Sequence, residues 1–132
     1  GINLATQLRR TGGPRPISVY LQAVICADQA AKDGLIEWRG VRTDEATYAA
    51  SLDGPWLLYD NRKDPFQQRN LVGERPDLQR QMERALGRWM TRTHDVLEPK
   101  EAVLERYGLT ALWEERAAMN RRLRDAGRPR SG

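Results

Sequence analysis

The sequence predicts an α+β fold, in which a four-stranded antiparallel sheet is packed by an amphipathic helix and further helices follow toward the C-terminus. From Ile17 to about Asp60, short segments rich in β-branched and aromatic residues alternate with turn residues, as in strands. From Pro76 onward, apolar residues recur at helical spacing. The 132 residues are a normal length for one domain with a modest core.

Four segments are predicted as strands: Ser18–Cys26, Leu35–Thr43, Thr47–Ser51 and Trp56–Asp60. The last three form an antiparallel meander, and the first is its fourth member. Asp53-Gly54 is predicted to supply the positive backbone angles of a tight hairpin. In the second strand, side chains alternate between faces, with Trp38, Gly40 and Arg42 on one face and Arg39, Val41 and Thr43 on the other.

An amphipathic helix is predicted over Pro76 to Thr93. Pro76 suits the first helical position, and Asp77 places negative charge at the positive end of the helix dipole. One apolar stripe is expected to pack on the sheet: Leu78, Met82, Leu86 and Trp89, with Ala85 and Met90 alongside.

Two more helical stretches are predicted after this helix. The first runs from Pro99 to Tyr107 and stops at Gly108. Thr110 is predicted to cap the second, which continues to about Arg124. The narrower apolar side of this last helix consists of Leu109, Leu112, Trp113 and Ala117.

The charge pattern argues against a nucleic-acid-binding face, although the net charge is +4. Arginines recur every four residues on the polar side of the long helix, where acidic residues share the surface: Arg80, Arg84, Arg88 and Arg92, with Asp77 and Glu83. This pattern is typical of a solvated helix surface.

No apolar run approaches the length of about 18 residues that a membrane span needs. The first residues, GINLATQLRR, lack the pattern of a signal peptide, so the sequence does not indicate a compartment.

The sequence predicts no catalytic, cofactor-binding or metal-binding residue. His94 and Asp95 are adjacent near a helix end, where neighbouring side chains diverge. Cys26 has no second cysteine and no histidine beside it, and it is interpreted as a small buried residue. A cluster that suggests a calcium loop, Asp60, Asn61 and Asp64, lacks the glycine and glutamate of an EF-hand, and a turn explains it.

The stretch LYDNRKDPFQQRNL, Leu58–Leu71, is interpreted as a structural connector. Pro65 drives Asp64 out of helical geometry and ends the strand. The Asp64 side chain is expected to accept bonds from nearby backbone N–H groups, while Asn70 closes the loop and Leu71 returns to the core. A substrate-contacting role for this loop is the alternative.

Five motifs follow one another along the chain: Arg-Gly-Val-Arg-Thr (Arg39–Thr43), Leu-Tyr-Asp (Leu58–Asp60), Asp64-Pro65, Asn70-Leu71 and a helix that carries Trp89. Residues 38–95 thereby resemble the C-terminal subdomain of the sulfatase family, in the alkaline phosphatase superfamily. The opening GINLATQLRR also resembles the segment with which the large sulfatase domain ends.

The resemblance implies a small antiparallel sheet docked in cis against a large α/β catalytic domain. Sulfatases convert the Cys or Ser of a C/S-x-P-x-R motif to formylglycine and use a bound calcium ion. Here Cys26 is followed by Ala27, Asp28, Gln29 and Ala30, so the motif is absent. The resemblance places calcium and formylglycine in a full-length enzyme, with no cofactor in this chain, and whether the chain is part of an enzyme stays open.

The resemblance also implies that residues 1–16 are the tail of a missing large domain or a linker, and that 17–95 are the subdomain. The sequence pattern adds a helical extension at 96–125 and a disordered tail at 126–132. The expected function is that of the C-terminal part of a sulfatase-like hydrolase of sulfate esters, which acts as scaffold and pocket wall and is not catalytic alone. Part of a related phosphoester or phosphonate hydrolase, and a stand-alone basic interaction module without enzymatic activity, remain alternatives.

An isolated subdomain of this kind is expected to expose an apolar sheet face and to self-associate through it. This face is expected to be built from some of the residues Tyr20, Val24, Trp38, Tyr48 and Trp56. Alternation alone does not assign Trp38, Arg39 or Arg42 to substrate binding.

Overall fold

The fold is known from a computed structural model that describes residues 17–26 and 34–126. The predicted tail 1–16 lies outside the described residues, as do residues 127–132 of the predicted C-terminal tail. The chain divides into two compact units, Gly1–Leu97 and Glu98–Gly132, which are described separately below.

The first unit contains a four-stranded antiparallel sheet in the order β1-β2-β3-β4, which confirms the predicted sheet. The strands are β1 (Ser18–Ala23), β2 (Trp38–Thr43), β3 (Ala46–Ser51) and β4 (Gly54–Asp60). The first two are shorter than predicted, because side-chain bonds replace the ladder beyond Ala23. The Cys26 backbone N–H donates to Glu37 Oε1 at 3.2 Å, and Cys26 Sγ donates to the Ile36 carbonyl at 3.1 Å.

A threonine side chain and a glycine shape the two turns that connect β2, β3 and β4. Thr43 Oγ1 accepts bonds from the backbone N–H groups of Glu45 and Ala46, which closes the β2–β3 turn. In the β3–β4 turn, Gly54 has a positive φ of 112°. The prediction that Asp53 shares this conformation was wrong, since a single glycine is enough to reverse the chain here.

A β-bulge lies in the β3–β4 ladder. Ala49 pairs with Leu57 and Ala50 with Pro55, which leaves Trp56 as the extra residue of β4. Pro55 has no backbone N–H to donate, so the irregularity falls where the ladder could not continue regularly.

The long helix α1 spans Pro76–Thr93, as predicted, and packs on one face of the sheet. Together with that face it forms the core of buried residues Val41, Ala46, Tyr48, Leu58, Met82 and Leu86. Partly buried apolar residues surround this core: Tyr20, Ala50, Leu71, Val72, Leu78, Ala85, Trp89 and Met90. The predicted stripe on the helix is therefore its buried side.

The second unit contains helices α2 (Lys100–Arg106) and α3 (Thr110–Ala126). Pro99 and Tyr107 cap α2 instead of lying within it, and Gly108 after it has a positive φ of 65°. Thr110 is the first residue of α3 and not a cap before it. Among the described residues, no helix has the length and apolar content needed to cross a bilayer.

We expect Met82→Ala to lower the free energy of unfolding by about 2–5 kcal/mol, because it opens a cavity at the centre of the core. Met82 is 1% exposed, whereas Met119 is 55% exposed. Met119→Ala is therefore the matched control and should lower the free energy of unfolding by well under 1 kcal/mol. Urea unfolding at low protein concentration, monitored by circular dichroism, measures both variants. Equal losses in the two variants would contradict the assigned core.

Candidate functional site

Arg39 is a buried charged residue of the first unit, with only 1% of its surface exposed. Its Nε donates to Asp95 Oδ2 at 2.6 Å, and one terminal nitrogen donates to Asp95 Oδ1 at 3.0 Å and to the Val96 carbonyl at 3.1 Å. The other terminal nitrogen donates to the carbonyls of Ala23 and Trp38, each at 3.1 Å. These five bonds match the five N–H groups of a guanidinium, so the buried charge is both paired and hydrogen-bonded.

The end of helix α1 places Asp95 opposite Arg39. His94 adopts a left-handed conformation (φ 53°), and the Asp95 N–H donates to the Met90 carbonyl at 2.9 Å, as in a Schellman cap. This turn leaves the His94 side chain exposed and directs Asp95 toward the sheet. The two neighbouring side chains therefore lie in different environments, one in solvent and one in the ion pair.

Two aromatic residues complete this network. The Tyr20 hydroxyl donates to Asp95 Oδ2 at 2.5 Å, and the Tyr20 ring stacks on Trp89 with centroids 5.9 Å apart. Trp89 Nε1 in turn donates to Ser18 Oγ at 2.8 Å. Strand β1 is thus bonded to helix α1 through Trp89 and to the segment after the helix through Asp95.

The network shifts the ionisation of its members. Hydrogen bonding to Arg39 is the largest effect that holds the pKa of Asp95 below its ordinary value. Burial, followed by the bond to Asp95, raises the pKa of Tyr20. Nearby, burial and then Glu83 raise the pKa of Tyr48 to about 12. The tyrosines thus remain neutral donors and Asp95 remains an anion around neutral pH. These charge states suit a network that stabilises the fold.

The loop Leu58–Leu71 forms the connector that its sequence predicts. Asp64 Oδ2 accepts the Arg69 N–H at 2.8 Å, and backbone N–H groups, that of Arg69 first, lower the pKa of Asp64. Asn70 bonds to β4 on both sides of Leu57, with Oδ1 accepting the Leu58 N–H at 3.0 Å and Nδ2 donating to the Trp56 carbonyl at 2.8 Å. The Leu71 N–H donates to the Leu58 carbonyl at 2.8 Å, so the loop returns along β4 into the core.

The sheet face opposite to α1 differs from the packed face, and we call it the open face. Two cross-strand rows lie on it: Leu21, Gly40, Ala49 and Leu57, and beside them Val19, Arg42, Thr47 and Tyr59. Gly40 and Ala49 are buried, while Val19 is 46% exposed and the two leucines and Tyr59 are half-buried. The first row is therefore an apolar strip with a flat centre.

Gly40 accounts for that flat centre. A Cβ built at this position would lie 2.9 Å from the Tyr48 carbonyl oxygen and 3.3 Å from the Trp38 ring. Trp38 in turn contacts Trp56, with centroids 6.0 Å apart. The absence of a side chain at residue 40 thus lets Trp38 lie across the strand.

Two of the five residues considered for the exposed face do not belong to it. Tyr48 is 2% exposed and Tyr20 is stacked on Trp89, so both belong to the helix-covered face. The reason is strand register, since both residues pair with Val41 at the centre of the core. Trp38 and Trp56 are half-buried, and Val24 is 37% exposed.

A polar cluster borders the apolar strip of the open face. Thr47 Oγ1 accepts bonds from Arg42 at 3.1 Å and from Gln67 Nε2 at 3.0 Å, and it donates to Asn61 Oδ1 at 2.9 Å. Gln67 has a positive φ of 55°, which turns its amide toward this cluster. Arg42 is exposed, so its guanidinium is a positive group held at the edge of the open face.

The residues that were considered for metal or nucleophile chemistry serve local structure. Asp60 Oδ1 accepts the backbone N–H groups of Arg62 and Lys63, and Asn61 Oδ1 accepts from Thr47 and Gln67. Within residues 17–26 and 34–126, no three His, Cys, Asp or Glu side chains are grouped to hold a metal ion. Oxygens of Asp60, Asn61 and Asp64 instead accept N–H groups within the loop. Burial is the first cause that raises the pKa of the Cys26 thiol, which disfavours a nucleophilic thiolate.

Known proteins resemble this chain in sequence and in fold. It is 32% identical over 74 residues to an ulvan-active sulfatase of Formosa agariphila, a match that covers 54% of this chain and 14% of that protein. Its fold matches a crystal structure described as the putative sulfatase yidJ of Bacteroides fragilis, with a TM-score of 0.54 and 23% identity. That match covers 71% of this chain and 20% of yidJ.

No family model matches the chain. The two comparisons confirm the resemblance to the C-terminal subdomain of sulfatases. The chain spans only 14% and 20% of the lengths of these two proteins, and so corresponds to a small part of each.

Removing the negative partner of the buried ion pair should be strongly destabilising. We expect Asp95→Asn to lower the free energy of unfolding by about 3–5 kcal/mol, because Arg39 is left as an uncompensated buried charge. Asp77→Asn, in an ion pair whose aspartate is 93% exposed, is the control and should change it by less than about 1 kcal/mol. The double variant Arg39→Met/Asp95→Leu should recover most of the loss in urea unfolding. A double variant less stable than Asp95→Asn would contradict this interpretation.

The same pair should make stability pH-dependent in acid. The pKa of Asp95 is lowered in the folded state, so its contribution is complete above the ordinary value of about 3.9 and is lost as pH falls through the folded pKa. The difference in unfolding free energy between the wild type and Asp95→Asn should therefore shrink from about pH 5 to about pH 2. A difference that stays constant over this range would show that ionisation of Asp95 does not contribute.

Proposed function

We propose that this chain is the C-terminal part of a sulfatase-like hydrolase of sulfate esters. In that role it supports a large catalytic domain and contributes one wall of the substrate pocket, while the reactive centre lies outside residues 1–132. The sequence similarity to a sulfatase supports this assignment, as does the small share of that protein which the chain spans.

The difference between the two faces of the sheet carries the scaffold role. One face is closed by helix α1 and by the Arg39–Asp95 network. The open face keeps its apolar row of Leu21, Gly40, Ala49 and Leu57, which is flat enough for a second layer to approach. An antiparallel sheet can leave one face in water, but that face is then usually polar, so the apolar row on the open face is where a catalytic domain would pack.

The polar cluster at the edge of the open face supports the pocket-wall role. The exposed Arg42 guanidinium is oriented by its bond to Thr47, which is held by Asn61 and Gln67. A planar guanidinium with several N–H donors is suited to the oxygens of a sulfate group. Arg42 is therefore the residue that this proposal places nearest to the substrate. Arg39, by contrast, is committed to Asp95 and is buried.

The decisive experiment uses the longer protein that the proposal requires, measured for sulfate release from an aryl sulfate. Its reading frame should contain a C/S-x-P-x-R motif upstream of this segment. Leu57→Glu should reduce activity and melting temperature together, because it places a charge in the apolar strip of the open face. Arg42→Met should lower kcat/KM about tenfold or more with little change in melting temperature, which corresponds to the loss of one charge-assisted contact.

Arg88→Met is the matched control for Arg42→Met, since Arg88 is exposed on helix α1. It should change neither activity nor melting temperature. Turnover by this chain alone, or a longer protein without the motif, would overturn the proposal. Binding of the chain to heparin that persists at about 200 mM salt would favour a basic interaction module instead.

A further inference from the structure

Helix α3 in the second unit carries an exposed apolar stripe. Leu112 is 62% exposed, Met119 55% and Leu123 65%. At 3.6 residues per turn these three side chains lie within roughly 40° of one another around the helix axis. Trp113 and Ala117, which point in a different direction, are half-buried. The stripe is thus separate from the side of α3 that is covered within the chain.

One flank of the stripe carries charges of opposite sign. Glu115 lies in the N-terminal half of the helix, while Arg122 lies in its C-terminal half. Glu115 and Arg122 are about two turns apart and lie on the same flank of the stripe, within roughly 20° of each other. One end of this flank is therefore negative and the other is positive.

This pattern is self-complementary when two copies of α3 pack antiparallel. With the stripes facing each other and the two-fold axis at Ala118, Glu115 of each helix lies level with Arg122 of the other, within about 1.5 Å along the axis. The two-fold also brings the same flank of both helices together, so two Glu115–Arg122 pairs form. In a parallel pair, each of these residues would instead lie level with its own copy.

We propose that helix α3 is a dimerisation surface for a second copy of this chain, packed antiparallel through Leu112, Met119 and Leu123 and oriented by the Glu115–Arg122 pairs. The stripe is short, because α3 has 17 residues and Arg116 lies near it. The interface therefore belongs to the small, weak class, in which the dimer dissociates on dilution. This inference does not depend on the proposed function.

Sedimentation velocity of the full 132-residue chain, over about a hundredfold range of concentration, tests the proposal. We expect a monomer–dimer equilibrium, with the dissociation constant raised at least tenfold by Met119→Glu, which places two carboxylates in the apolar contact. Glu115→Arg and Arg122→Glu should each weaken the dimer about five- to tenfold, and the double variant Glu115→Arg/Arg122→Glu should restore it.

Two matched controls separate the interface from general effects of charge. Glu114→Arg and Arg121→Glu make the same charge changes on the opposite side of α3, and they should leave the dissociation constant within about twofold of the wild type. Circular dichroism of each variant shows that α3 still forms. A chain that remains monomeric at every concentration would overturn the proposal, and so would a dimer that is insensitive to Met119→Glu but lost in Leu57→Glu on the open face of the sheet.

Discussion

The ion pair between Arg39 and Asp95 is the contact on which the first unit depends. A guanidinium in the middle of a buried strand face is tolerated only when its charge is paired and each N–H group has an acceptor. Asp95, Val96, Ala23 and Trp38 supply those acceptors. Because they come from β1, β2 and the segment after α1, the pair joins the sheet edge to the end of the helix. Exchanging it for apolar residues would keep the packing but remove this positional specificity.

The connector loop fixes the other end of the same helix. Asn70 and Leu71 bond to β4 before the helix begins at Pro76. The helix is therefore anchored near its start by the loop and just after its end by Asp95, and one sheet face is closed. The function that we propose uses the face that remains open. The bonds and packing on the closed side hold the sheet in place, which would allow the open side to serve as a support.

Local patterns predicted most of this architecture. The strands, their order and the bounds of α1 follow from alternation, turn residues and the apolar stripe, and Asp64, Asn70 and Leu71 act as their residue types suggest. The importance of Asp95 was missed, because it arises from a contact 56 residues away in the chain. Arg39 on the same strand face as Val41 was the available signal, since an inward arginine requires a partner. The face assigned to Tyr20 and Tyr48 depended on register, which local alternation does not determine.

Oxidative footprinting of the open face, in this chain alone and in a longer protein that contains it, tests the central claim most directly. The claim predicts that Trp38, Leu57 and Tyr59 react in the isolated chain and become protected in the longer protein. Arg88 and the rest of the outer surface of α1 should stay accessible in both, and Met82 should stay protected in both, as expected for a residue that is 1% exposed. Equal reactivity of the three open-face residues in the two proteins would contradict the claim that this face is covered by a catalytic domain.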